Sequence, residues 1–326
     1  MGRFNFNKNI KVLMSKYKKI AFVFPGQGAQ YPGMGQDFYN EFSIAKETFQ
    51  EADDILGRKL STIILNGPED VLRETKNSQT GIFVNSTALT RVINTQFPKL
   101  LPTVVAGLSL GEYTALSVSN RLQFSDCLPL VQYRGQYMND ACEKHPGTMA
   151  VVLGLSEEAV ENLVKGLNMP HDIFVANLNA PGQVVISGTF KGIEAATVAA
   201  KLAGAKRVLP LSVYGAFHSG LMKDAEDRLS EHVNNAPLKD SSIDFVMNVP
   251  GDYVKDLSQI RKFLTAQVTS PVRWDASICQ MSKASVDLFI EIGCGKTLGA
   301  LIKRIGVDVP VISIEKIADL DLLTEI

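Results

Sequence analysis

The chain has 326 residues, 45% of them hydrophobic and 21% charged, with a formal net charge of −1. Such a length and balance suit one large globular domain or two ordinary ones and exclude a disordered or fibrous chain. The near-zero charge argues against a surface that coats nucleic acid, and no apolar run approaches the roughly 18 residues of a membrane span. Neither nucleic acid nor membrane is therefore an expected partner.

Residues 1–18 read as a basic tail. Arg3, Lys8, Lys11, Lys16 and Lys18 occur there, with Lys19 next, and no acidic residue accompanies them. The segment lacks the apolar core of a secretory signal, so a solvated tail is favoured over a transit-like leader or an extension ahead of a start at Met14. The body of the chain is correspondingly more acidic than the total suggests. The four cysteines, Cys127, Cys142, Cys279 and Cys294, are widely spaced and form no CxxC pair. Neither a metal site nor a disulfide framework is expected, and free thiols point to the cytoplasm.

Lys19–Phe24 is an apolar run that ends at Pro25-Gly26, the pattern of a buried strand entering a glycine turn. Helical patterning follows over Phe38–Leu56 and Thr80–Gln96. A β-branched run, Thr103–Ala106, stops at Gly107, and helical patterning resumes from Leu110. Alternating strands and helices predict a mostly parallel sheet covered on both faces. After Pro146-Gly147 the pattern changes. Strand Met149–Leu153, helix Ser156–Lys165, strands Phe174–Leu178 and Gln183–Ser187, helix Phe190–Leu202 and strand Arg207–Leu211 follow in turn. That β-α-β-β-α-β order predicts a ferredoxin-like α+β module over 146–211, inserted in an α/β domain made of 19–145 and 212–326. Ser156, with Glu157 and Glu158 behind it, reads as a helix start. Leu288–Ile292 is a last buried strand running into Gly293-Cys294-Gly295.

Gly107-Leu108-Ser109-Leu110-Gly111 fits G-x-S-x-G between a strand and a helix, the setting that exposes a serine hydroxyl on a tight turn. Ser109 is thus a candidate nucleophile, the competing reading being a plain glycine-rich βα turn. It needs a base, and only four histidines exist. His145, His171 and His232 lie in polar surroundings, whereas His218 follows an apolar strand and the glycine turn Tyr214–Phe217. His218 is the best candidate base, the alternative being a helix cap. No acid on a clear strand end stands between Ser109 and a late histidine, as an α/β-hydrolase triad would require, so a Ser–His dyad is expected. Pro25-Gly26-Gln27-Gly28 matches no phosphate-loop pattern. Its Gln27 N–H and the Leu110 N–H could form an oxyanion hole, or Pro25–Gly28 could be a structural turn. Arg134, on an otherwise largely neutral helix, must find an anion: either a bound carboxylate or a structural ion-pair partner.

Five segments together, Phe24-Pro25-Gly26-Gln27-Gly28, Gly107–Tyr113, Tyr133-Arg134-Gly135, Ala216-Phe217-His218-Ser219 and Gly293-Cys294-Gly295-Lys296, resemble the malonyl-CoA:acyl-carrier-protein transacylase family. The resemblance runs in order from about residue 19 to 315. It implies an α/β-hydrolase-like domain with a ferredoxin-like insert, and malonyl transfer from malonyl-CoA to the phosphopantetheine thiol of acyl carrier protein, for fatty-acid elongation. It implies that Ser109 is acylated, that His218 is its base, and that the Gln267 backbone carbonyl orients His218. Gln27 and Leu110 would donate the oxyanion hole, and Arg134 would pair with the malonyl carboxylate. Phe217 would disfavour a methyl branch, and Asn179 would be a further active-site residue. The implied enzyme needs no cofactor beyond its substrates, malonyl-CoA and holo acyl carrier protein, and acts as a monomer. Lys201, Lys206 and Arg207 are candidates for a basic carrier-docking patch. Two positions depart from the family pattern: Leu108 replaces the usual histidine, and Cys294 the proline of Gly-Pro-Gly. A serine esterase or thioesterase, and a non-catalytic acyl-CoA or carrier-binding module, are the competing functions.

Overall fold

The computed structural model describes residues 16–213 and 215–326. Residues 1–15, most of the expected basic tail, and Tyr214 lie outside them.

Eleven strands occur among the described residues: β1 (Ile20–Phe24), β2 (Val104–Gly107), β3 (Thr148–Leu153), β4 (Ile173–Ala180), β5 (Gln183–Gly188), β6 (Arg207–Pro210), β7 (Asp244–Met247), β8 (Asp252–Tyr253), β9 (Val272–Arg273), β10 (Leu288–Ile292) and β11 (Val311–Ile314). The larger sheet has the order β11-β10-β1-β2-β7-β8. Its pairs are parallel except for β7 with β8. β1, β2 and β10 are buried along their whole length, as strands covered on both faces must be. The two-residue period of a strand divides β1 between two cores. Ile20, Phe22 and Phe24 enter the larger one, with Phe83 and Leu89 of helix Thr75–Gln96. Ala21 and Val23 enter the other, with Trp274 and Leu298. Truncating a buried phenylalanine such as Phe22 costs about 3–5 kcal/mol.

The smaller sheet has the order β6-β3-β5-β4-β9. β3 to β6, with helices Glu157–Gly166 and Phe190–Leu202, follow the β-α-β-β-α-β order expected from sequence. Ser156 Oγ accepts the Ala159 N–H at 3.2 Å and Thr189 Oγ1 the Gly192 N–H at 3.0 Å, so each helix has a side-chain cap. A cap of this kind contributes about 1 kcal/mol. Val152, Val160, Ile173, Ile186 and Ala196 form a separate core beneath these helices. The fifth strand, β9, comes from the distant 272–273 segment and pairs in parallel with β4, Asn177 opposite Val272 and Leu178 opposite Arg273.

Some boundaries differ from expectation. The single helix read over Phe38–Leu56 is two, Gln36–Glu41 and Ser43–Leu56, because Phe42 is extended at φ −113° and ψ 121°. The helix expected from Thr80 begins at Thr75, and its added first turn is polar yet largely buried. β6 stops at Pro210, one residue short, and β2 runs one residue further, to Gly107. Among the described residues no helix is long and apolar enough to cross a membrane, and all four cysteines are free.

Candidate active site

Ser109 sits on the turn between β2 and helix Gly111–Val118. Phe24 at the end of β1 lies opposite Gly107, and its carbonyl accepts the Leu108 N–H at 3.0 Å. A Cβ on Gly107 would lie 1.9 Å from the Gly111 carbonyl carbon, and one on Gly111 would lie 2.1 Å from the Phe24 oxygen. Only glycine permits backbone to approach this closely. Ser109 itself has φ 51°, a left-handed conformation that costs a non-glycine residue about 1–3 kcal/mol. The turn therefore places a half-buried hydroxyl at the strand end.

His218 is buried, also with positive φ, 56°. Its Nε2 lies 2.8 Å from Ser109 Oγ, and its Nδ1 lies 2.8 Å from the Gln267 backbone oxygen. A carbonyl can only accept, so Nδ1 carries the proton and Nε2 is left to accept the Ser109 O–H. Burial first, and the Arg134 guanidinium second, push the imidazole down to about 4, against the main-chain hydrogen bonds at Gln267 and Ser270. At neutral pH it is an uncharged base. The other histidines lie elsewhere: His145 faces Asp224 at 3.9 Å, His171 is exposed, and His232 stacks on Tyr133.

Arg134, on helix Phe124–Lys144, is 1% exposed. Its Nη1 donates to Gln79 Oε1 at 2.5 Å, and its Nη2 donates to Ser109 Oγ at 3.0 Å and Gln267 Oε1 at 2.9 Å. Its guanidinium carbon also lies 5.5 Å from the centre of the Tyr113 ring. Every hydrogen-bond acceptor it reaches is neutral, and its buried Nε has no partner. The structural ion pair considered as an alternative is absent among the described residues. The buried carboxyl that interacts with this guanidinium, Glu112, is itself pushed up to about 8 by burial and supplies no full counter-charge, so the site favours an anionic ligand.

The turn carrying Gln27 packs against the Ser109 loop, since a Cβ on Gly26 would lie 2.5 Å from the Leu108 oxygen. Neither the Gln27 N–H nor the Leu110 N–H has an acceptor among the described residues. Gly293, in the motif with Cys294, lies behind the same turn, its missing Cβ 2.6 Å from Pro25 Cγ. Phe217 is buried and adjoins His218 in the chain. Asn179, on β4, is not brought into the hydrogen-bonded cluster, and its buried Oδ1 has no partner.

Three residues at the site escaped the sequence reading. Asn248, just after β7, accepts the Ser109 N–H on Oδ1 at 2.7 Å and donates from Nδ2 to the Gly107 oxygen at 2.7 Å. Glu112, fully buried, accepts the Asn248 N–H at 2.6 Å, and burial pushes its carboxyl up to about 8. Gln79 joins Arg134 to Gln27 Oε1, the latter at 3.3 Å. The available signals were a polar residue directly after an apolar strand, an acid directly after the G-x-S-x-G motif, and polar residues in an otherwise buried helix.

A serine on a strained turn, a neutral imidazole within hydrogen-bonding reach and two N–H groups without acceptors among the described residues make an arrangement that can support acyl transfer. The family model for the acyl transferase domain matches residues 21–315, and the chain belongs to that family. Among its relatives is the malonyl CoA-acyl carrier protein transacylase of Bacillus subtilis (strain 168), 41% identical over 288 residues, 88% of this chain and 90% of that one. The protein of the same name from Haemophilus influenzae (strain ATCC 51907 / DSM 11121 / KW20 / Rd) is 39% identical over 94% of this chain and 99% of its own. Two solved structures are similar throughout. An acyl carrier protein S-malonyltransferase from Vibrio cholerae is 37% identical with a TM-score of 0.89, covering 94% of this chain and 100% of the other. A malonyl-transacylase in complex with its type II PKS acyl-carrier protein is 35% identical with a TM-score of 0.90, covering 94% and 99%.

Proposed function

We propose that the chain transfers malonyl from malonyl-CoA to the phosphopantetheine thiol of acyl carrier protein, for fatty-acid synthesis. The observation that carries this is one hydroxyl shared by a base and a cation: Ser109 Oγ lies 2.8 Å from His218 Nε2 and 3.0 Å from Arg134 Nη2. Ser109 Oγ attacks the thioester carbon while its proton passes to His218 Nε2. The oxyanion rests on the Gln27 and Leu110 N–H groups. The C–S bond breaks, CoA leaves as a thiol with the proton from His218, and malonate stays esterified to Ser109. In the return half the carrier thiol gives its proton to His218, attacks the ester, and Ser109 recovers its hydrogen. One thioester replaces another, so the exchange runs near equilibrium.

Arg134 selects a substrate with a free carboxylate, because an apolar acyl group would leave its Nε and its charge unanswered. Phe217 crowds a methyl branch, favouring malonyl over methylmalonyl, and Asn179, on β4, is a further active-site residue. No cofactor is needed, since the thioesters carry the chemistry. Exposed Lys201, Lys206 and Arg207 supply a basic patch for an acidic carrier on an otherwise acidic body. The enzyme acts as a cytoplasmic monomer.

Residues 19–145 and 212–326 form an α/β-hydrolase-like domain, 146–211 a ferredoxin-like subdomain, and 1–18 a tail. The β6-β3-β5-β4 order of the smaller sheet supports the second assignment. Mass spectrometry after mixing with malonyl-CoA tests the function. A malonyl adduct on Ser109 that holo carrier protein discharges is expected. Hydrolysis as fast as transfer makes the chain a thioesterase, and no adduct makes it a binding module.

A further inference from the structure

We infer that Asn248 is a positioning residue that holds the nucleophile turn in its reactive shape and fixes it to the segment orienting the base. The inference rests on the reading of Ser109 as the acylated serine. Asn248 is wholly buried, and both its side-chain oxygen and nitrogen are hydrogen-bonded. Oδ1 accepts the Ser109 N–H at 2.7 Å and Gln267 Nε2 at 3.2 Å, and Nδ2 donates to the Gly107 oxygen at 2.7 Å. One amide therefore ties down the backbone on both sides of Leu108.

That backbone needs tying. Ser109 is held at φ 51°, where a residue with a side chain persists only if its surroundings over-determine it. Its N–H is taken by Asn248, while its carbonyl accepts Gln267 Nε2 at 3.0 Å and the Glu112 N–H at 3.1 Å. Asn248 is itself anchored at both main-chain groups. Its N–H donates to Glu112 Oε2 at 2.6 Å, and its carbonyl accepts the Arg273 N–H at 3.0 Å. Glu112 lies in the first turn of the helix after the nucleophile, and Gln267 supplies the carbonyl that holds His218 Nδ1 at 2.8 Å. The Asn248 amide thus joins the serine's backbone to the residue that aims the imidazole. It contacts neither reacting atom, so its influence is on alignment.

Misplacement of reacting groups by about 1 Å can cost about 100-fold in rate. Asn248→Ala is expected to lower kcat for malonyl transfer about 100-fold while KM for malonyl-CoA stays within about twofold. Phenylmethanesulfonyl fluoride gives an independent reading of the turn. Ser109 Oγ bonds to sulfur, the S–F bond breaks, fluoride leaves, and the serine proton passes to His218 Nε2. Its labelling rate should fall in parallel with kcat. Asn248→Asp keeps the volume and the acceptor oxygen and loses the donation to Gly107; about a tenfold fall in kcat with unchanged KM is expected. Should Asn248→Ala yield too little folded protein, Asn248→Asp decides, measured per folded molecule. A loss carried by KM or by the folded fraction, with kcat and labelling rate per folded molecule within about threefold of the original, overturns the inference. The unsubstituted chain distinguishes the two failures. If it takes up no malonyl group, the function reading falls and this inference with it; if it does, an unaffected Asn248→Ala removes this inference alone.

Discussion

His218 Nδ1 lies 2.8 Å from the backbone carbonyl oxygen of Gln267, and the side chain of the same Gln267 accepts from Arg134 Nη2 at 2.9 Å. One residue serves the base with its main chain and the cation with its amide. The two services are separable. Gln267→Ala keeps the carbonyl, so Ser109 should still be acylated, with a loss of about tenfold or less. Arg134 loses a partner, and the preference for malonyl-CoA over acetyl-CoA should narrow. Paired kcat/KM values for the two thioesters check this; a narrowed rate without a narrowed preference would disconnect Gln267 from Arg134.

Removal of the cation itself should be harsher. On the proposed reading, Arg134→Ala takes away the charge-assisted bonds to the malonyl carboxylate, each contributing about 1.5–3 kcal/mol. A fall of about 100-fold in kcat/KM for malonyl-CoA is expected, equivalent to about 2.7 kcal/mol. Acetyl-CoA use should improve relative to it. An unchanged ratio would place the carboxylate elsewhere.

The pH profile follows from the imidazole. An ordinary histidine titrates near 6.5, whereas burial and Arg134 push His218 down to about 4. The base is therefore still unprotonated as pH falls through 6.5. The kcat/KM profile for malonyl-CoA should be nearly level between pH 5.5 and 7.5, with its acid limb lower still. A half-maximal point at 6.5 would mean that solvent reaches the ring.

Glu112 bends stability with pH in the opposite sense. Burial raises its folded-state value to about 8, above the 4.5 of the free group. Between those values the folded chain keeps a proton that the unfolded chain has released, so this residue's contribution to stability declines as pH rises. Glu112→Gln keeps an acceptor for the Asn248 N–H but cannot titrate. Its unfolding free energy from urea titration should gain on that of the original chain from pH 5 to pH 8, at up to about 1.4 kcal/mol per pH unit. Parallel curves would refute the assignment.

Gly107→Ala tests the turn without touching a reacting group. Its added Cβ would meet the Gly111 backbone at 1.9 Å, where no side chain can give way. Overpacking costs about 1–3 kcal/mol when neighbours can shift, and backbone against backbone should exceed that. Little folded protein is expected. Gly166→Ala, which meets nothing within 4 Å, is the control. Equal thermal midpoints for the two would contradict the close approach.

The parts of the site that sequence revealed are those written locally. Ser109 stood out because its glycines, strand and helix are contiguous, and His218 because only four histidines compete. Arg134 was noticeable as a charge amid neutral neighbours, but its lack of a counter-ion emerges only when distant helices pack. Asn248, Gln79 and Glu112 left only faint local signals for the same reason. Their partners lie 139, 55 and 136 positions away, to Ser109, Arg134 and Asn248 respectively. The strand order of the smaller sheet was half legible. The module's own four strands follow from alternation, whereas β9, two residues long, carries too little pattern to announce itself. Phe42 shows the complementary failure: an apolar period survives one extended residue, so it cannot register a break between helices.

That two-residue strand has a mechanical consequence. β9 begins five positions after Gln267 and is stitched to β4, the strand that bears Asn179. The smaller lobe is thus leashed to the very segment that aims the imidazole. A pull on β4 is therefore carried through β9 and the short stretch before it to the carbonyl that holds His218 Nδ1.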